Sequence, residues 1–173
     1  MYNTLLPVKS AMILHGFTQF PANGLRAALH RKYIHWPSVT PYLFGSALIF
    51  IVFQFIRIIP SKAVIYILLG SFPFFAFLPR LSENFSITKR GRSFFCGVLV
   101  SIAQLLAGAS GAMLDIFFIN SSLTRYQIIA TKAFTQTLGH FFKLLYYLSL
   151  VEHLAEITLL SSYSYFAIIF ATF

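Results

Sequence analysis

Four side chains suited to holding an anion recur along one stretch of this sequence: Lys132, Gln136, His140 and Lys143. Their relative positions, 0, 4, 8 and 11, fall within about an 80° arc at 3.6 residues per turn. On a helix they form one narrow polar stripe: an ammonium supplies charge, and an amide and an imidazole supply neutral N–H donors. The pattern recurs near the start of the chain. His15-x-Phe17-Thr18-Gln19-x3-Asn23-x2-Arg26 aligns with Lys132-x-Phe134-Thr135-Gln136-x3-His140-x2-Lys143 at an offset of 117 residues. Phe, Thr and Gln are identical in the two copies. If the stripes face each other, an anion between them meets Lys132 and neutral donors from both. The residues expected on this path are His15, Gln19, Asn23, Lys132, Thr135, Gln136 and His140.

A competing account treats these groups as interhelical glue, with hydrogen bonds of about 0.6 kcal/mol each. It suits Thr18 and Thr135 better than a ligand does. Lys143 and Arg26 are equally suited to snorkelling toward an interface. A histidine such as His140 has an ordinary pKa near physiological pH, where a proton could couple to transport, although a neutral, hydrogen-bonded histidine is the commoner case. Gly108 and Gly111, with small residues between and around them, give either close helix packing or an unwound segment whose amides face a ligand. Similarity to a family described below favours the second. Asp115 follows four residues after Gly111; it is placed to carry a proton, to pair with Lys132, or to sit at a helix end. No spacing suggests a metal site, a cofactor loop or a nucleophile with its base, so an enzyme ranks last.

The elements that must position these residues are membrane helices. Of 173 residues, 58% are hydrophobic and only 10% charged, and the mean hydropathy is +0.77. A soluble domain carries roughly 25% charged residues, so this chain has too few to coat a globule in water. The net charge of +9 is scattered through short connections, which argues for membrane orientation and against nucleic acid. One cysteine, Cys96, excludes an internal disulfide. The N-terminus lacks the pattern of a signal peptide.

A span needs about 20 apolar residues, and six candidates are expected: Leu5 to Ala28, Val39 to Ile59, Ala63 to Pro79, Ser93 to Ile119, Tyr126 to Val151 and Ile157 to Phe173. The fold class is therefore all-α, a polytopic transmembrane bundle with an internal repeat. It is expected to be one domain over 1–173, with 1–79 the remainder of a first repeat, 80–92 a basic cytoplasmic loop, and 93–173 a second repeat. Arg26, Arg31 and Lys32 follow the first helix, and Arg80, Lys89, Arg90 and Arg92 follow the third. Two crossings separate these groups, which puts both in the cytoplasm and the N-terminus outside. Lys62 and Arg125 are expected on the opposite side. His30, His35 and Trp36 read as interface anchors, and Glu152, His153 and Glu156 as a solvated loop. Four crossings between the copies make the repeat parallel; a re-entrant break at Gly108–Gly111 would make it inverted.

Three ordered segments carry a resemblance: KSAMILHGFTQFPANGLRAALHR, GRSFFCGVLVSIAQLLAGASGAMLDIFF and LTRYQIIATKAFTQTLGHFFKLLYY. They resemble the TauE/SafE family of membrane permeases, the sulfite exporters, over nearly the whole chain. Family members are similar to two four-helix halves, each opening with a Gly-rich segment. The first such segment and the last helix have no counterpart here, so the resemblance implies a chain truncated at both ends or one that pairs with a second copy. It also implies export or uptake of small sulfur-containing or organic anions.

The expected function is secondary carriage of a small anion in a cell (inner) membrane. The partners implied are the bilayer and the anion, with room for a coupling proton or ion and for a homo-oligomer. No nucleic acid, cofactor or metal is implied. The alternatives are a non-transporting scaffold or assembly subunit and an inactive permease fragment.

Overall fold

The computed structural model describes residues 7–76, 86–89 and 91–151. Among these the chain is all-α: α1 (Val8–Leu29), α2 (Trp36–Ile56), α3 (Lys62–Ala76), α4 (Arg92–Ala107), α5 (Gly111–Ile119) and α6 (Arg125–Ser149), with a short 3-10 turn at Arg31–Tyr33. The expected sixth span, Ile157 to Phe173, the loop residues Glu152, His153 and Glu156, and Arg80 and Arg90 lie outside the described residues, as does the end of the third span beyond Ala76. Among the described residues one helix, Trp36–Ile56, is long and apolar enough to cross a membrane, where six spans were expected.

Local chemistry sets the helix ends. Pro37 stands in the first turn of α2, where its missing N–H costs nothing. Arg57, in the left-handed region at φ 53°, ends that helix. Thr124 caps α6: its hydroxyl accepts from the Gln127 amide while the Gln127 side chain accepts from the Thr124 N–H at 3.0 Å, a reciprocal capping box. Gly108, at φ 76°, closes α4 in a conformation that a Cβ disfavours.

The segment expected as one helix, Ser93 to Ile119, is instead a hairpin. Ser93 at the start of α4 donates its hydroxyl to the Ile87 carbonyl, and the Ile87 amide donates to the Phe117 carbonyl near the end of α5 at 2.9 Å. A continuous helix would hold Ser93 and Phe117 about 36 Å apart at 1.5 Å per residue. Cys96 and Val100 of α4 also share a buried cluster with Leu114, Phe117 and Phe118 of α5. The chain therefore turns at Gly108–Ser110 and comes back. The left-handed Gly108 is what breaks the helix.

This return changes the polarity of everything after it. α1 and α6 pack closely and run antiparallel: Lys9 Nζ donates to the Leu150 carbonyl at 3.0 Å, the Phe20 and Phe141 rings sit 6.0 Å apart, and the Tyr33 and Tyr126 rings stack at 5.2 Å. The parallel arrangement expected from four crossings is thus corrected, because the fourth candidate does not cross. Arg125 moves accordingly. It opens α6 at the same end as Arg26, Arg31, Lys32, Lys89 and Arg92, not at the opposite end. The far end holds Lys9, Arg57 and Lys62, with Arg57 donating to the Ser149 carbonyl at 3.1 Å.

α2 crosses α4 at two glycines. A Cβ on Gly97 would run into the Tyr42 carbonyl oxygen, and one on Gly45 into the Phe94 carbonyl oxygen. Such backbone-to-backbone approach drives helix association where apolar burial cannot. Since backbone cannot yield as a side chain would, Gly97→Ala is expected to destabilise the protein by about 1–3 kcal/mol. Thermal unfolding in detergent checks this, with Gly70→Ala as the control because a Cβ there meets nothing within 4 Å.

Candidate functional site

The facing polar stripes of α1 and α6 divide into two regions. Toward the basic end they enclose a cleft of about 510 Å³ lined by Gln19, Asn23, Arg26, Ile129, Lys132, Ala133 and Gln136. Toward the other end they meet directly, Lys143 reaching His15 and the His15 and His140 rings lying edge to face.

In the cleft, Asn23 is buried and donates to the Gln19 carbonyl at 3.0 Å and to Gln19 Oε1 at 3.4 Å. That bond orients the Gln19 amide. Lys132 and Arg26 are the cations. Lys132 makes an ion pair with Asp115 on α5, and their side chains are 28% and 46% exposed. A Cβ on Gly111 would stand 3.6 Å from Gln136 Nε2, so the amide end of α5 abuts the inner glutamine of the cleft. A helix N-terminus favours negative charge. Two cations, three side-chain amides and this helix end make a setting for a small anion.

The second region is a buried cluster at the hairpin tip. Lys143, fully buried, donates to the Gly108 carbonyl at 2.9 Å and to His15 Nδ1 at 2.8 Å. An ammonium can only donate, so with Lys143 charged the His15 proton is on Nε2. His140 likewise accepts at Nδ1, from Gln104 Nε2 at 3.0 Å. Gln104 in turn donates to the Gly108 carbonyl at 3.3 Å and accepts from the Ser110 hydroxyl at 2.6 Å. The two imidazoles meet edge to face, with centroids 5.4 Å apart. Met12 closes over the tip, since a Cβ on Gly108 would come within 2.5 Å of its sulfur.

The expected path residues thus separate. Gln19, Asn23, Lys132 and Gln136 line the cleft; His15, His140 and Gly108 belong to the buried cluster. Gly111 and Asp115 flank the cleft through Gln136 and Lys132. Thr135 joins neither region: its hydroxyl donates back to the Thr131 and Lys132 carbonyls, each at 3.0 Å. Snorkelling of Lys143 is overturned, because its ammonium is held inside by the hairpin-tip carbonyl. Gln104 and Ser110 were not singled out from sequence. The available signal was Gln104 itself, an amide in an apolar run four residues before Gly108. His35 is tied down, its ring to Ser38 at 2.9 Å and its amide to Thr131 at 2.9 Å, whereas Trp36 is half-exposed against Phe134.

Set against family models, curated proteins and solved structures, the chain finds no match.

Asp115 competes with any anion for the Lys132 ammonium. A partly exposed pair of this kind contributes about 0.2–1 kcal/mol, up to roughly a fivefold change in affinity. Asp115→Asn is therefore expected to tighten sulfate binding by up to about fivefold in calorimetry on the detergent-solubilised protein. Weaker binding would mean that the carboxylate positions Lys132 rather than masks it.

Proposed function

We propose that this chain is a multi-pass membrane protein that carries a small anion, working as a secondary carrier in a cell membrane. The observation that carries the reading is the pair of polar stripes turned toward each other around a cationic cleft. A charged residue at the middle of a bilayer costs roughly 2.5–3.5 kcal/mol on insertion scales. Both lysines of α6 are turned into the protein: Lys132 lines the cleft facing α1 and pairs with Asp115 of α5, and Lys143 reaches His15 of α1. Such placement serves an internal path.

The outer surface supports the membrane part of the reading. Along α2, Phe44, Leu48, Ile51 and Phe55 are exposed at 66%, 47%, 51% and 83%, a continuous greasy face that water would not tolerate and that acyl chains would cover. The basic residues gathered at the cleft end, now including Arg125, favour a cytoplasmic location for that end. The cleft then faces inward. Its volume is on the order of fifteen water molecules at about 30 Å³ each, room for a small anion that keeps part of its hydration.

The repeat supports carriage by alternating access. Antiparallel α1 and α6 with matched stripes, next to a helix broken at its middle, are the ingredients of inverted-repeat carriers. They also agree with the TauE/SafE resemblance, which we retain as the family reading and which suggests sulfite or sulfur-containing organic anions as cargo. A scaffold subunit has no need of two facing cationic stripes.

The test is flux in proteoliposomes. Lys132→Ala removes a charge-assisted hydrogen bond of about 1.5–3 kcal/mol, so sulfate and methanesulfonate flux is expected to fall about tenfold or more with membrane insertion unchanged. Flux equal to that of the unsubstituted chain would remove Lys132 from the path.

A further inference from the structure

We infer that the buried cluster of Lys143, His15 and His140 is a second anion seat, the closed counterpart of the open cleft, which is exposed to the opposite face when the Arg26–Lys132 end shuts. The inference rests on the carrier reading above and assigns it a second half.

The correspondence is residue by residue. At the 117-residue offset, Lys132 matches His15, Gln136 matches Gln19, Asn23 matches His140 and Arg26 matches Lys143. Applied to the polar lining of the cleft, this exchange returns Gln19 and Gln136 to each other and converts the rest into the cluster. The apolar lining follows: Ile129 matches Met12 and Ala133 matches Gly16. Both counterparts pack on the cluster, Met12 against Gly108 and Gly16 beside the Lys143 side chain. Because α1 and α6 run antiparallel, exchanging the copies also exchanges the two ends of the bundle. One end holds the cleft, and at the other the corresponding side chains are in contact.

The chemistry of the sealed end fits an anion. Lys143 brings an amine that is an ammonium when charged; His140 accepts at Nδ1 from the Gln104 amide, which leaves its proton on Nε2, and a charged Lys143 sets the same tautomer on His15. Asp115 is the sole acid among the described residues, and its ion pair is with Lys132. Lys143 is therefore balanced, among those residues, by a backbone carbonyl and an imidazole lone pair. Burying a charge with such partners is costly, and an arriving anion relieves that cost better than the Gly108 carbonyl does. Entry requires the tip to release Lys143 and Met12 to move aside. Closure of the cleft then brings Arg26 and Lys132 together with Gln19 and Asn23, as His15 and Lys143 meet now.

Thiol labelling in oriented vesicles tests this. In a Cys96→Ala background the chain has no other cysteine, so Ile129→Cys reports the cleft and Met12→Cys the sealed end. Without a carried anion, an impermeant maleimide is expected to label Ile129→Cys from the basic end and to leave Met12→Cys at least tenfold slower from either face. With sulfate or methanesulfonate on both sides, Met12→Cys labelling from the opposite face should rise severalfold while Ile129→Cys labelling falls. Lys143→Met should cut flux at least tenfold. Met12→Cys that stays unreactive in vesicles carrying sulfate, or unchanged flux in Lys143→Met, would overturn the second seat. Absence of flux of either anion in the unsubstituted chain would instead sink the carrier reading itself.

Discussion

The packing of α1 against α6, antiparallel and polar face to polar face, is the interaction on which the other features depend. A buried lysine, histidine or amide is cut off from water and is costly unless hydrogen-bonded, so each must find its partner within the protein. Lys143 finds the Gly108 carbonyl and His15, His140 finds Gln104, and Asn23 finds Gln19. Where the stripes touch, these bonds seal the helices together. Where they diverge, toward Arg26 and Lys132, the same kind of residue lines an open cleft. One interface thus presents two conditions of a single chemistry.

The broken helix makes that interface possible. Had α4 continued through Gly108, α6 would begin at the far end and run parallel to α1, and the stripes would meet in another register. The turn at Gly108–Ser110 reverses the chain, and its unwound carbonyl then serves as the acceptor for Lys143. A left-handed glycine therefore does two jobs: it sets the polarity of the last described helix and supplies the oxygen that holds Lys143. The Gly45–Gly97 crossing holds α4 hard against α2.

Much of this was legible in the sequence. Apolar runs located the ends of α1, α2 and α6 and the start of α3 to within about three residues, since a run of apolar side chains marks the stretch that must be kept from water. Spacing of four and three identified both stripes, of which Gln19, Asn23, Lys132 and Gln136 line one cleft. The hairpin was harder to see. Hydropathy over Ser93 to Ile119 is continuous, and GASG fits close packing and a break equally well; only the fold-back contacts of Ile87 with Ser93 and Phe117 decide it. The parity of the repeat and the side occupied by Arg125 depend on that one break, so both followed it into error. Lys143 was misjudged for a related reason. Its position near a helix end invites snorkelling, and the carbonyl that holds it belongs to a segment 35 residues away. Gln104 escaped notice because a lone amide in an apolar run has no spacing partner within its own helix.

The central claim is the antiparallel register, and a cysteine cross-link tests it most directly. In a Cys96→Ala background, Gly16→Cys should form a disulfide with Leu144→Cys on mild oxidation in membranes, because a Cβ at Gly16 lies within 2.8 Å of the Leu144 side chain. A parallel arrangement would put Gly16 opposite its repeat partner Ala133, eleven residues away along α6. Cross-linking of Gly16→Cys to Ala133→Cys, with none to Leu144→Cys, would contradict the account.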